Sequence, residues 1–199
     1  PTVEPSEPAI SPSVSPSVDP EFTDISGHWA EKEIGDLAEK GIIKGVTETE
    51  FMPDKAISRA EFTALAVRTL GLKQESYQEV YSDVKKGDWF ADDVQTALVH
   101  GIISEDDAFR PYDTVTREEM AKIMSESLMR ALETDELQKA DTNHFTDRGA
   151  ISPWAQDYIE MALGSGLMQG ISETEFAPVE NATRAQAAVL LWRFLERVE

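Results

Sequence analysis

A short motif made of a hydroxyl residue, an arginine, any residue and then Glu or Gln occurs three times in this chain. It reads Ser58-Arg59-Ala60-Glu61, Thr116-Arg117-Glu118-Glu119 and Thr183-Arg184-Ala185-Gln186, each copy starting five residues after a proline. A motif of an aromatic residue, a hydroxyl residue and an aspartate recurs in the same order, at Asp24, Asp83 and Asp147. A repeated unit of this kind must bury its apolar face against its own copies. The chain therefore folds as an array or a closed trimer of three units.

Each unit is predicted to contain two helices joined by a loop. The first helix follows a tryptophan and ends at a glycine twelve residues later, the residue type that adopts the left-handed conformation at helix ends. The second helix begins at the arginine motif, because Ser or Thr followed three residues later by Glu or Gln is a capping box. Apolar residues at spacings of three and four predict that this helix is amphipathic. An aromatic residue two positions before each proline is expected to point inward: Phe51, Phe109 and Phe176.

The composition restricts the classes of partner. Of the 199 residues, 41% are hydrophobic, enough for one sizeable core. The 38 acidic against 18 basic residues exclude a nucleic-acid partner, because the phosphate backbone requires a basic surface. The sequence has no apolar run of roughly the 18 residues that span a bilayer, so no membrane insertion is predicted. Cysteine is absent, which excludes thiolate metal sites, and no metal or cofactor is predicted.

The domain organisation follows from the repeats. Residues 1–20 contain six prolines and five serines and are predicted to be a linker that tethers this module to a further domain. The three repeats are placed at 21–72, 80–132 and 144–199, with an acidic connector at 133–143. We predict a monomeric pseudo-trimer within one chain.

The arginine of the motif needs an explanation beyond helix capping. A cation at the first helical position opposes the helix dipole, at a cost of a few tenths to about 1 kcal/mol. An anion would offset this cost if free backbone N–H groups, the cap hydroxyl and the guanidinium converged on one carboxylate or phosphate. The alternative is a salt bridge to the aspartate that begins a repeat or to a glutamate of a neighbouring repeat. Both can hold at once.

Taken in their order and spacing, these motifs resemble three tandem S-layer homology domains over residues 22 to 198. The resemblance implies an all-α pseudo-threefold spindle with a central helical bundle and grooves between the repeats. It further implies a secreted module in the cell wall or S-layer of a Gram-positive-type bacterium, which anchors a surface protein without catalysis. The implied ligand is a secondary cell wall polysaccharide with a pyruvate ketal on terminal N-acetylmannosamine.

Five groups of residues are candidates for binding this ligand. They are the arginines Arg59, Arg117 and Arg184, the cap residues Ser58, Thr116 and Thr183, the tryptophans Trp29, Trp89 and Trp154, the aspartates Asp24, Asp83 and Asp147, and the loop residues Lys44, Gly45 and Gly170. Each tryptophan can stack on a sugar ring or anchor the core. Each aspartate can accept a sugar hydroxyl or cap the first helix. The loop residues offer a cation and an unhindered backbone N–H beside a groove.

The three grooves are predicted to be unequal. The loop has Lys44-Gly45 in repeat 1 and Gln169-Gly170 in repeat 3, whereas repeat 2 has the acidic sequence 104–107 and is two residues shorter. We expect the groove that uses the loop of repeat 2 to bind an anion weakly and the groove that uses the loop of repeat 1 to bind it best. The sequence leaves open which arginine faces which loop.

Two other functions compete with anchoring. A wall-glycan hydrolase would need one pair of carboxylates that breaks the threefold pattern, and the sequence has no such pair. A scaffold for acidic peptides would use the same three arginines, so only the identity of the ligand separates it from a glycan-binding module.

Overall fold

The computed structural model describes residues 22–199, so the predicted linker at 1–20 lies outside the described residues. The described range contains six α-helices, two 3-10 helices of three residues each, and isolated β-bridges without a sheet. The α-helices are α1 (Glu31–Glu39), α2 (Arg59–Thr69), α3 (Ala91–Val99), α4 (Arg117–Ala131), α5 (Gln156–Gly164) and α6 (Arg184–Val198). The predicted all-α class is confirmed.

The ends of the helices follow from local sequence. The side chains of Ser58, Thr116 and Thr183 each accept the backbone N–H of the residue three positions on, whose side chain in turn accepts the N–H of the cap residue. The predicted capping boxes are therefore present in all three repeats. Two residues after the last residue of each first helix come Gly41, Gly101 and Gly166, whose φ angles are 70°, 71° and 73°, a region that favours glycine.

The repeats pack in cyclic order. The second helices α2, α4 and α6 contact one another, and each first helix packs on the second helix of the preceding repeat, with α1 on α6 closing the ring. Three backbone hydrogen bonds also form a closed triangle: Ile57 donates to Ala182 (3.0 Å), Ala182 to Val115 (2.9 Å) and Val115 to Ile57 (3.0 Å). The units thus form a closed trimer and not an open array, while the spindle outline stays a prediction.

The core occupies the centre of this ring. Phe51, Phe109 and Phe176 are at most 2% exposed, as predicted. The second helix of repeat 1 differs from the expectation of one apolar stripe, since α2 buries residues on several sides, including Thr63. It does so because α3, α4 and α6 all pack against it. No helix among residues 22–199 combines the length and the apolar character needed to cross a membrane.

Candidate functional site: three grooves between the repeats

Three grooves surround the central helices, and each is built from all three repeats. Groove 1 is lined by the loop at Lys44, by Arg184 of repeat 3 and by Trp89 of repeat 2. The equivalent residues of groove 2 are the loop 104–106, Arg59 and Trp154, and those of groove 3 are the loop at Gln169 and Gly170, Arg117 and Trp29. The arginine of each repeat therefore faces the loop of the next repeat, which settles the pairing that the sequence left open.

The tryptophans are surface residues of the grooves. Trp29 is 62% exposed, Trp89 58% and Trp154 48%, so their interpretation as core anchors is wrong. A fourth tryptophan, Trp192, is half-buried outside the three grooves, and its indole N–H donates to Asp36 (2.9 Å). An exposed indole face beside a polar groove can stack on the apolar face of a sugar ring.

The motif arginines connect neighbouring repeats. Arg184 donates from Nε to the carbonyl of Phe51 (2.8 Å) and from Nη2 to the carbonyl of Lys44 (3.0 Å), with its guanidinium 4.5 Å from the centre of the Phe51 ring. Arg117 makes the same contacts with Phe176 and Gln169. These contacts leave the remaining guanidinium donors of both arginines without a protein partner among residues 22–199. They are available to a ligand in the groove.

The backbone at the start of the second helices does not take part in anion binding, contrary to our expectation. Arg59 and Ala60 donate their N–H groups to carbonyls of Asp113 (2.9 Å) and Pro111 (3.1 Å), and the other two repeats have equivalent bonds. The next N–H is bound by the cap hydroxyl. The expected convergence of free N–H groups is therefore wrong, because the neighbouring repeat already satisfies them. The cap residues Ser58, Thr116 and Thr183 hold the helix starts and do not line the three grooves.

The arginines of grooves 1 and 3 lack a carboxylate partner. Neither Arg184 nor Arg117 forms a salt bridge within residues 22–199, although Arg117 is only 5% exposed. Burial lowers the pKa of Arg117 to about 10, and burial likewise lowers the pKa of Arg184. A desolvated cation that no carboxylate contacts directly attracts an anion. The salt-bridge alternative holds only for Arg59, whose Nη1 lies 2.6 Å from Oε1 of Glu119.

The aspartates that begin the repeats bind the backbone of a loop and do not cap the first helix. Asp24 accepts the N–H groups of Phe51 (2.9 Å) and Met52 (2.7 Å), and the carboxylates of Asp83 and Asp147 bind the equivalent pairs. The second residue of each pair has a positive φ of 57° to 59°, an unusual conformation for a residue with a side chain. In repeat 1, Asp24 thus fixes the loop that contains Phe51, whose carbonyl accepts a hydrogen bond from Arg184. The expected role of these aspartates as helix caps is wrong.

The bond pattern of Asp24 predicts an acid-sensitive loop. Slight desolvation opposes ionisation, but the N–H groups of Phe51 and Met52 outweigh it and hold the pKa of Asp24 below its usual value. A group with a depressed native pKa stabilises the fold fully above its unfolded pKa, and this contribution is lost as the pH falls through the native pKa. We expect Asp24→Asn to lower the free energy of unfolding at pH 7 by about 1 kcal/mol, a modest value because the carboxylate is exposed.

Urea unfolding at pH 7 and at several pH values below 4 measures this effect. The stability difference between the wild type and Asp24→Asn should shrink towards zero as the pH falls. Asp135→Asn is the matched control, because Asp135 is exposed and makes no hydrogen bond within the described range. A loss that is the same at all pH values, or equal in the control, would contradict the role of the Asp24 carboxylate.

The loop glycines are needed for packing. A Cβ on Gly45 would lie 2.5 Å from Cε1 of Phe22, and a Cβ on Gly170 would lie 2.7 Å from Cε1 of Phe145. In repeat 2 the equivalent aromatic residue is Tyr81, whose hydroxyl donates to the carbonyl of Ser104 (2.8 Å). The loop without glycine is thus held by a different contact. Lys44 is exposed at the rim of groove 1 and its carbonyl is a partner of Arg184.

The grooves differ in charge and in size. Among residues 22–199, groove 3 is lined by two arginines and no carboxylate, and groove 1 by three cations and one carboxylate. Groove 2 has three cations opposed by Glu105, Asp106 and Glu119. Its volume is about 270 Å³, against about 460 Å³ for each of the other two. Groove 2 is therefore the smallest of the three grooves and has the most acidic lining.

Two further arginines were missed in the sequence. Arg68 lines groove 1 and Arg193 lines groove 3, each nine residues after the motif arginine of its own helix. Arg68 is bound by the buried carboxylate of Asp93 (2.6 Å). On α4 the same helical position is Glu126, which accepts the hydroxyl of Tyr158 (2.7 Å) and is not among the residues that line groove 2. Agreement between two of three repeats at this position was the signal that could have revealed them.

The family comparison covers all three repeats. The model of the S-layer homology domain matches residues 21–63, 80–121 and 144–188. The matched segments contain the tryptophan, the loop and the arginine motif of every repeat, so they include the main residues of each groove.

Curated proteins of two kinds are similar to the chain. It is 41% identical over 180 residues to an amylopullulanase of Thermoanaerobacterium thermosulfurigenes, a match that covers 88% of this chain and 10% of that protein. It is 39% identical over 180 residues to the exoglucanase XynX of Acetivibrio thermocellus, covering 88% of this chain and 16% of the relative. It is 32% identical over 185 residues to the surface-layer 125 kDa protein of Lysinibacillus sphaericus, covering 90% and 15%. The chain thus spans only a small part of the length of these relatives.

Proposed function

Because the chain belongs to the family of S-layer homology domains, we propose that it anchors a surface protein noncovalently to pyruvylated secondary cell wall polysaccharide. Domains of this family are anchoring modules that bind cell wall polymers, and their relatives include surface-layer and cell-surface proteins. The module would act outside the cell, in the wall of a Gram-positive-type bacterium. The terminal N-acetylmannosamine with its ketal would enter the grooves between the repeats.

The observation that carries this proposal is the pair of unneutralised arginines opposite exposed tryptophans. Arg184 faces Trp89 in groove 1, and Arg117 faces Trp29 in groove 3. A ketal carboxylate supplies the missing anion and can accept two parallel N–H bonds from one guanidinium. The sugar ring that bears the ketal supplies an apolar face for the indole. One saccharide with a carboxylate therefore satisfies both sides of the groove.

The overall charge of −20 does not prevent this binding. Exposed charges are screened over about 8 Å at physiological ionic strength, so the arginines inside the groove determine the local potential. We infer that grooves 1 and 3 bind the glycan and that groove 2 binds it weakly. The sequence alone placed groove 1 first. Groove 3 is now ranked beside it, because no carboxylate among residues 22–199 lines groove 3.

The alternative functions have less support. The relatives with enzyme names match the chain over at most 19% of their length, and that match is the S-layer homology region. The aspartates that recur in every repeat bind backbone N–H groups, which gives them a structural role in the loops. An acidic peptide could reach the same arginines, but it does not explain why an exposed indole lies beside each one.

Calorimetric titration with a synthetic disaccharide that carries the pyruvate ketal tests the proposal. The same disaccharide without the ketal is the control for the carboxylate, and an acidic peptide is the control for the scaffold function. We expect two binding events per chain with the ketal sugar, and at least about tenfold weaker binding without it. Equal binding of both sugars would contradict the carboxylate mechanism. Binding of the peptide alone would favour the scaffold.

A further inference from the structure

The last residue of each capping box lines a groove in addition to capping its helix. These residues are Glu61 in groove 1, Glu119 in groove 2 and Gln186 in groove 3. One side-chain oxygen of each accepts the N–H of its cap residue, at 2.9, 2.9 and 3.3 Å respectively. The other polar atom of the side chain is not needed for the cap. Whether this second atom has a protein partner differs from groove to groove.

Among residues 22–199, this side chain forms a salt bridge with the motif arginine only in groove 2. Oε1 of Glu119 lies 2.6 Å from Nη1 of Arg59 and 3.1 Å from Nη2 of Arg110. The side chains of Arg59 and Glu119 are only 15% and 17% exposed, so this ion pair is weakly screened by water. Oε1 of Glu61 has no partner within residues 22–199, and Gln186 carries no charge. The carboxylate of Glu119 thus sits where the other grooves leave a guanidinium open.

Two differences in repeat 2 explain this ion pair. Arg110 lies between Phe109 and Pro111, where the other repeats have Met52 and Ala177, so groove 2 has a second guanidinium beside the carboxylate. The shorter loop of repeat 2 also supplies no carbonyl partner to Arg59, whereas Gln169 and Lys44 supply one to the other two arginines. Arg59 keeps its bond to the carbonyl of Phe109 and turns its remaining edge to Glu119.

We propose that Glu119 occupies the anion subsite of groove 2 as an internal substitute for a ligand carboxylate, so that its ion pair with Arg59 and Arg110 closes this groove to an anionic glycan. This rests on the proposed function. A ligand carboxylate must displace a carboxylate that is attached to the protein and therefore present at high effective concentration. The acidic loop adds repulsion at the rim, but the displaced ion pair is the larger barrier. Groove 2 is closed to anions by one side chain, not by its whole shape.

The substitution Glu119→Gln tests this directly. Gln186 forms a complete capping box in the same chain, so glutamine at position 119 retains the cap while removing the charge. The indole N–H signals in a ¹⁵N–¹H NMR spectrum report on the grooves separately, because Trp89, Trp154 and Trp29 lie in grooves 1, 2 and 3. Trp192 lies outside all three and is the internal reference.

We expect the ketal disaccharide to shift the signals of Trp29 and Trp89 in the wild type and to leave that of Trp154 unchanged. In Glu119→Gln the signal of Trp154 should shift as well, with groove 2 binding about 10- to 100-fold more tightly than before. Adding Arg59→Ala to this variant should remove the gain. Glu61→Gln is the matched control, the same change in a groove without the ion pair, and it should leave Trp154 silent.

The outcomes separate this inference from the proposed function. A wild type that binds through Trp29 and Trp89, with no response of Trp154 in Glu119→Gln, overturns the inference alone. A wild type in which no indole responds to the ketal sugar overturns both. If Glu119→Gln unfolds because two arginines are left together, Glu119→Gln with Arg110→Met restores the residue of repeat 1. A silent Trp154 in that folded double variant also overturns the inference.

Discussion

Replacing Arg117 and Arg184 together by alanine is expected to abolish measurable binding of the ketal glycan. Each substitution removes charge-assisted hydrogen bonds worth about 1.5 to 3 kcal/mol, which corresponds to about 10- to 150-fold in the affinity of its groove. The effect is large because both guanidiniums are partly or fully buried and have no carboxylate of their own. Titration of the two single variants and the double variant with the ketal disaccharide measures it.

Arg59→Ala is the matched control for this prediction. It changes the same position of the motif and removes the same carbonyl bond to the next repeat, but its groove is already neutralised by Glu119. Binding should stay within about twofold of the wild type. Thermal unfolding of all variants checks the fold, since each arginine also links two repeats. Equal losses of affinity in Arg59→Ala and in the other two single variants would contradict the assignment of the grooves.

Gly170→Ala is expected to destabilise the loop of groove 3 and to weaken binding there. The added Cβ would lie 2.5 Å from the carbonyl oxygen of Ser172 and 2.7 Å from that of Glu175, and both are backbone atoms that cannot rotate away. Forcing an extra carbon into a packed site costs about 1 to 3 kcal/mol. The loop would move together with the carbonyl of Gln169, which positions Arg117. Urea unfolding and the NMR signal of Trp29 measure the two effects.

Gly149→Ala provides the comparison, because a Cβ at Gly149 would meet no atom within 4 Å. Its free energy of unfolding should change by less than about 0.5 kcal/mol. If Gly170→Ala is as stable as this control and binds equally well, the loop glycine has no packing role. In that case its backbone N–H would again be the better explanation for glycine at this position.

Features set by neighbouring residues could be predicted from the sequence. The capping box depends on residues three apart, and the glycine that ends each first helix depends on one turn of chain, so both were found correctly in three copies. The inward position of Phe51 followed from its place in an otherwise polar loop. The same local pattern occurs three times in the chain, so each copy predicts the same structure.

Features that depend on pairing between repeats could not be predicted. Which loop faces Arg184 depends on the cyclic order of packing, and the partner at Lys44 is 140 positions away. The role of Asp147 was missed because its bonds go to a loop 29 and 30 residues later and not to the adjacent helix. The N–H groups at the start of α2 were expected to be free because nothing in repeat 1 alone satisfies them.

The inequality of the grooves illustrates both cases. The acidic sequence of the repeat 2 loop predicts a poor site for an anion, and Glu105 and Asp106 of this loop do line groove 2. The ion pair between Glu119 and Arg59 could not be seen in the sequence, because Glu61, the equivalent glutamate of repeat 1, forms no salt bridge with Arg184 in groove 1. The difference arises from Arg110 and from the length of one loop, which act only after the repeats have packed together.

A crystal structure of the module with the ketal disaccharide is the most direct test of how the wall is bound. We predict that the ketal carboxylate lies about 2.7 to 2.9 Å from guanidinium nitrogens of Arg184 in groove 1 and of Arg117 in groove 3. The sugar rings should stack on Trp89 and Trp29, and groove 2 should be empty with Glu119 still bound to Arg59. A ligand seated outside the grooves, or one whose carboxylate points away from these arginines, would contradict the proposed mechanism.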